Sequence, residues 1–224
     1  MAEEGPYDAS RDHMLAEIRS MAQAVGGGGL PSEISTAVLE AMARVPRHMF
    51  VPEELRRFAY DNRPLPISRG QTISQPYIVA LMTELAEVAP GEKVLEVGTG
   101  SGYQAAVLAE LGANVHTIEI VPELGRQAAA LLARLGYAKV QTRIGDGYAG
   151  WPEVAPFGAI VVTAAADHIP QPLMEQLAPG GRMVIPLGEA SADQHLMLVV
   201  KNPDGTVETR RFLPVAFVPL TGRH

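Results

Sequence analysis

Lys93-Val-Leu-Glu96-Val-Gly98-Thr-Gly100-Ser-Gly102-Tyr103 decides the fold. Strand-forming residues run up to Val97, three glycines follow at alternate positions, and helix-forming residues begin at Tyr103. Glycine adopts backbone conformations that other residues avoid and lets a ligand approach the main chain. The first amides of the following helix are then free to meet that ligand. A strand, a glycine turn and a helix in that order open a parallel α/β sheet.

Outward from this turn, strands and helices alternate. Residues 75–88 read as an amphipathic helix, with Ser74 as its N-cap. After the turn come a helix over 103–111, a strand over 114–120, a helix over 122–135 and a strand over 140–144. A strand over 157–163, a short helix over 172–177 and a strand over 182–186 follow. The pattern predicts an α/β fold: a doubly wound, mostly parallel Rossmann-like sheet. Residues 195–201 and 206–213 flank Asn202-Pro-Asp-Gly205, which predicts a C-terminal antiparallel hairpin. Upstream, apolar spacing predicts a helix over 12–25, broken by four glycines from Gly26. A second helix opens at Pro31-Ser32-Glu33 and ends at Pro46, and a short helix fits within 53–60. The chain thus divides into an N-terminal helical region (1–74) and a core with the hairpin (75–224), expected to form one compact unit.

Two features choose the ligand of the glycine turn. The dinucleotide fingerprint is G-x-G-x-x-G; here Tyr103 stands where its third glycine belongs. Glu96 lies just before the loop, where a carboxylate would repel a pyrophosphate and attract an ammonium or a sulfonium. S-adenosylmethionine carries both cations and is the expected cofactor. Glu119 ends the next strand, where this architecture places a ribose-binding acid. Asp146, between Gly145 and Gly147, can accept the amine of adenine. The expected cofactor-binding residues are Glu96, Gly98, Thr99, Gly100, Ser101, Gly102, Glu119, Asp146, Gly147 and Thr163.

Composition narrows the classes. The 224 residues are 47% hydrophobic and 19% charged, which suits an ordinary globular unit. The net charge is -7, with no cluster of Lys and Arg to form a nucleic-acid face. The absence of cysteine excludes disulfides, a thiolate zinc site and a cysteine nucleophile, and no metal site is expected. No apolar run reaches the roughly 20 residues that cross a bilayer. The acidic start carries no apolar signal region, so no membrane association and a cytoplasmic location are expected.

The run Gln71-Thr-Ile-Ser-Gln-Pro-Tyr-Ile-Val-Ala80 resembles the signature of protein-L-isoaspartate(D-aspartate) O-methyltransferases. Arg44-Val-Pro-Arg-His-Met-Phe-Val-Pro52 resembles that family's N-terminal motif, and residues 95–103 its cofactor loop. Residues 157–165, 177–188 and Phe217-Val-Pro-Leu220 resemble its later motifs. The glycines from Gly26 look like a local insertion. The resemblance implies that residues 1–74 form the substrate side. It assigns Ser74 to catalysis and Thr72, Ile73 and Ser74 to substrate binding. It further implies methylation of the free α-carboxylate of isoaspartyl, and also D-aspartyl, residues in damaged proteins, followed by closure to a succinimide. Oligomeric state is left open.

From spacing alone, Ser74 reads first as a helix cap, with Pro76 in the first turn, and only second as a catalytic serine. Three other functions compete. One is an aspartate carboxyl methyltransferase acting on a precursor peptide, and another is a non-catalytic S-adenosylmethionine-binding module. A base such as His168, in the loop after the strand ending near Thr163, would suit an amine or phenol methyltransferase. Amino-methylating nucleic-acid enzymes carry an Asn/Asp-Pro-Pro-aromatic motif where this chain has Thr163-Ala-Ala-Ala-Asp167. A carboxylate acceptor is ionised at neutral pH and needs no base, so catalysis would rest on positioning.

Overall fold

The computed structural model describes residues 5–188 and 193–222. Helix α1 spans Asp8–Val25 and buries Met14, Leu15, Ile18 and Ala22 on one face. Helix α2 spans Thr36–Arg44. It begins later than Pro31-Ser32-Glu33 because Ser35 is the N-cap, its hydroxyl accepting from the Val38 amide at 3.4 Å. Two 3-10 turns, Arg47–Phe50 and Glu53–Phe58, lead to a small antiparallel hairpin of β1 (Leu65–Pro66) and β2 (Thr72–Ile73).

Helix α3 (Pro76–Ala86) is buried on nearly every face, not amphipathic as its sequence predicts. It is sandwiched between the sheet and the first two helices, and a helix so placed must be apolar all round. Then follow β3 (Lys93–Val97), α4 (Tyr103–Glu110), β4 (Asn114–Glu119), α5 (Pro122–Arg134) and β5 (Gln141–Ile144). The chain continues through β6 (Phe157–Val162), α6 (Gln171–Gln176), β7 (Leu177–Leu187), β8 (Gln194–Lys201) and β9 (Val207–Val215).

The main sheet has the order β5-β4-β3-β6-β7-β8-β9. The first five of these strands are parallel, and β8 and β9 add antiparallel, so the C-terminal hairpin continues the sheet. Strand β7 is longer than the predicted 182–186 because Leu177 also pairs, with Phe157, and Ala178-Pro-Gly-Gly181 bulges between it and Arg182. A Cβ on Gly181 would come within 2.8 Å of the carbonyls of Ala178 and Gly158, so only glycine fits there.

Each sheet face has its own core. Val94, Val115, Ala159, Val161 and Val184 pack against α1 to α4. Leu95, Val97, Ile160, Val162 and Ile185 pack on the other face with Leu173 of α6. Met14, Val38 and Met42 share the first core with Tyr77 and Val94. Strand order reverses between β3 and β6, and the carboxyl ends of strands at such a switch are where open α/β sheets bind ligands. No helix among the described residues is long and apolar enough to cross a membrane.

Candidate active site

A cleft opens at that switch. Of the residues expected to bind cofactor, Glu96, Gly98, Thr99, Gly100, Ser101, Glu119, Gly147 and Thr163 line it. The amides of Gly98 and Thr99 both bond the carbonyl of Ile118, at 2.9 and 3.1 Å, which turns the loop back across β4. Gly98 has φ 99°, and a Cβ there would meet the Thr163 hydroxyl at 2.5 Å. That hydroxyl lies 2.7 Å from the Gly98 carbonyl and 3.0 Å from the Val97 carbonyl. Thr163 therefore braces the loop from behind.

Two acids lie in the walls. Glu96 is fully buried, and its Oε2 accepts from the Thr117 hydroxyl at 2.5 Å. Thr99 and Thr117 are 2.6 Å apart, so Thr99 can donate to Thr117 and complete a chain beneath the loop. Glu96 Oε1 is buried with no partner among the described residues. Burial, reinforced by the neighbouring Glu119, pushes the Glu96 carboxyl up to about 8. Such an oxygen suits a ligand that brings a positively charged donor. The Glu119 carboxylate is pinned by the amides of Gly100 at 2.8 Å and Val121 at 2.9 Å. Each oxygen keeps a further lone pair for a ligand hydroxyl. The orphaned acceptor, the pinned carboxylate and the glycines with no room for a Cβ fit S-adenosylmethionine.

Gly102 and Asp146 do not line the cleft. Gly102, at φ 90°, starts α4, and a Cβ there would sit 3.2 Å from Leu132. Asp146 caps the 3-10 turn Gly147–Ala149, accepting from the Tyr148 amide at 3.0 Å. His168 lies outside the cleft, exposed between Asp167 at 2.5 Å and the Tyr148 hydroxyl at 2.9 Å.

Thr72, Ile73 and Ser74 form the opposite wall. The N-cap of α3 is Gln75, not Ser74, and no cap bond comes from its side chain. The cap acceptor comes from a loop instead: Asn62 Oδ1 takes the Tyr77 amide at 3.0 Å. The Gln75 side-chain amide donates to the Asn62 carbonyl at 2.9 Å, fixing that loop. The Ser74 hydroxyl has no partner among the described residues, and Ser74 borders both the cleft and a second cavity. That cavity runs between Met21 of α1, Ile78 of α3 and residues 213–218.

Three features had no assigned role in the sequence reading. Val218 to Thr221 cross the mouth of the cleft, held by bonds from the Ala165 amide to the Val218 carbonyl and from the Leu220 amide to the Ala165 carbonyl. Gln194 clamps the start of the same segment, its side-chain Oε1 accepting from the Phe217 amide at 2.6 Å. Arg47 is fully buried and donates to the carbonyls of Ala59 and Ser74, each at 2.7 Å. Arg47 and Val218 to Leu220 lay within motif runs of the sequence, and Gln194 lay in none.

The family model described as protein-L-isoaspartate(D-aspartate) O-methyltransferase matches residues 32–224. The chain belongs to this family. A protein-L-isoaspartate O-methyltransferase 2 of Polaromonas sp. strain JS666 is 60% identical over 210 residues, spanning 94% of this chain and all of that protein. One from Syntrophobacter fumaroxidans is 57% identical over 223 residues, covering 100% of this chain and 90% of its own length. A solved protein-L-isoaspartate O-methyltransferase superposes with TM-score 0.81 at 27% identity, over 95% of this chain and 66% of that one. A Plasmodium falciparum structure titled as the same enzyme in complex with S-adenosyl-L-homocysteine shares the fold, with TM-score 0.78 and 24% identity over 97% of this chain and 99% of that one. The family match covers Arg47, the hairpin with Ser74, the glycine loop and the strap at Val218.

Proposed function

We propose that the chain transfers a methyl group from S-adenosyl-L-methionine to the free α-carboxylate of L-isoaspartyl and D-aspartyl residues in damaged proteins. The ester then closes to a succinimide, and reopening restores some normal aspartate. The observation that carries the reading is Ser74: its hydroxyl is relieved of helix capping by Asn62 and stands between the two cavities. In this reading residues 1–74 form the substrate side of one compact unit, and residues 75–224 form the donor side.

When bound, S-adenosyl-L-methionine supplies a methyl group on a positively charged sulfur, which passes to a carboxylate oxygen and leaves a neutral thioether. No proton moves, so the transfer asks for no base, and no histidine lines the cleft among the described residues. Glu96 would receive the ammonium of the donor, and Glu119 the ribose hydroxyls. Ser74 would donate to one carboxylate oxygen and aim the other at the methyl group, with Thr72 and Ile73 shaping the wall. Holding reactants in this way is worth about 7–11 kcal/mol in favourable cases. The second cavity would admit the peptide on either side of the modified residue.

Methyl-ester formation on an isoaspartyl peptide tests this. Ser74→Ala should lower kcat/KM by about tenfold or more, the loss expected for a positioning hydrogen bond to a charged group. S-adenosyl-L-homocysteine affinity should be unchanged. A variant that turns over like wild type would contradict the role of Ser74.

A further inference from the structure

Arg47 sits in the 3-10 turn Arg47–Phe50, far from Ser74 in sequence, yet it is wholly enclosed. Burial works against its charge, but a guanidinium keeps its proton in proteins. Among the described residues no carboxylate pairs with it. Enclosing a cation without a counter-ion is costly, and an apolar side chain of the same volume is often as stable or more so. Stability is therefore a poor reason for an arginine here.

Its contacts suggest a geometric reason. Nε donates to the Ala59 carbonyl and Nη2 to the Ser74 carbonyl, each at 2.7 Å. The guanidinium carbon lies 4.6 Å from the ring centre of Tyr103, the first residue of α4 after the glycine loop. One rigid fork thus joins the wall that carries Ser74 to the wall that carries the loop.

We infer that Arg47 is a positioning residue for methyl transfer, fixing Ser74 at a set distance from the glycine loop. This rests on the methyl-transfer reading above. Arg47 touches neither donor nor acceptor; it acts by holding the Ser74 carbonyl, and with it the hydroxyl that aims the substrate. A misplacement near 1 Å can cost about a hundredfold in rate, so a loosened Ser74 should show in turnover before it shows in binding.

The test compares Arg47→Lys and Arg47→Met, each with Ser74 intact and with Ser74→Ala. Lysine keeps the charge and can reach one carbonyl; methionine keeps the length and reaches neither. With Ser74 present, Arg47→Lys should lower kcat on an isoaspartyl peptide by about tenfold, while S-adenosyl-L-homocysteine affinity stays within about twofold. With Ser74→Ala, the same change should cost less than about twofold, because the group that Arg47 positions is already gone. If Arg47→Met does not fold, the lysine variant carries the test. An equal loss in both backgrounds, or no loss at all, would overturn the inference. Wild-type turnover on the same peptide is the separate arm that tests the methyl-transfer reading.

Discussion

Ser74 and Glu96 mark how far single residues could be read. Spacing favoured Ser74 as a helix cap and the motif resemblance made it an active-site serine, because a cap and a hydrogen-bond donor need the same hydroxyl. The choice depends on Asn62, which the loop brings to the Tyr77 amide and which no local spacing reveals. Asn62→Ala should therefore lower stability by about 1 kcal/mol, and Ser74→Ala by much less. Urea unfolding of the two variants checks this. Glu96 was legible as an acid beside the loop, but its state was not: Thr117 and the enclosure come from β4 and the sheet core. Because its folded pKa of about 8 exceeds the ordinary 4.5, the folded chain holds an extra proton between those values, and its stability falls as pH rises from 4.5 to 8. Glu96→Gln should flatten that slope. Donor binding should also draw the carboxyl down and release a proton near neutral pH, visible by calorimetry in buffers of different ionisation heat.

At the scale of elements, the interior strands and helices were legible because periodicity and glycine punctuation agree there. Lys93–Val97 matches its prediction residue for residue. Starts of elements were less legible: α2 begins at its local cap Ser35 and not at Pro31, and β7 begins at Leu177 because Phe157 of β6 pairs with it. The strap at Val218 was seen as a motif and not as a wall, since its path depends on Ala165 and Gln194. The glycine loop itself makes a sharp prediction. Gly98→Ala puts a Cβ at φ 99° against Thr163. The backbone strain alone should cost about 1–3 kcal/mol, and the loop would have to move. Thermal melting should show a lower Tm, and S-adenosyl-L-homocysteine should bind more weakly. Undiminished affinity would mean that the loop does not hold the cofactor.

For the whole molecule, the alternation of elements predicted the doubly wound sheet, and the hairpin proved to extend it. The N-terminal helices were readable as amphipathic, but not their target: Met14 and Met42 enter the same core as Val94, so the Ser74 wall and the glycine loop rest on one packed body. Such a body can hold two reactants at a fixed separation, and that is the basis for expecting discrimination between linkages. In an isoaspartyl residue the main chain runs through the side-chain carbonyl, and the free α-carboxylate lies one carbon nearer the backbone than in normal aspartate. The most direct measurement uses two peptides of one sequence that differ only in that linkage, with base-labile methyl esters counted for each. The isoaspartyl peptide should react with kcat/KM about a hundredfold higher or more, given the cost of misplacing an attacking oxygen by about 1 Å. Equal rates, or faster methylation of the normal peptide, would contradict the account.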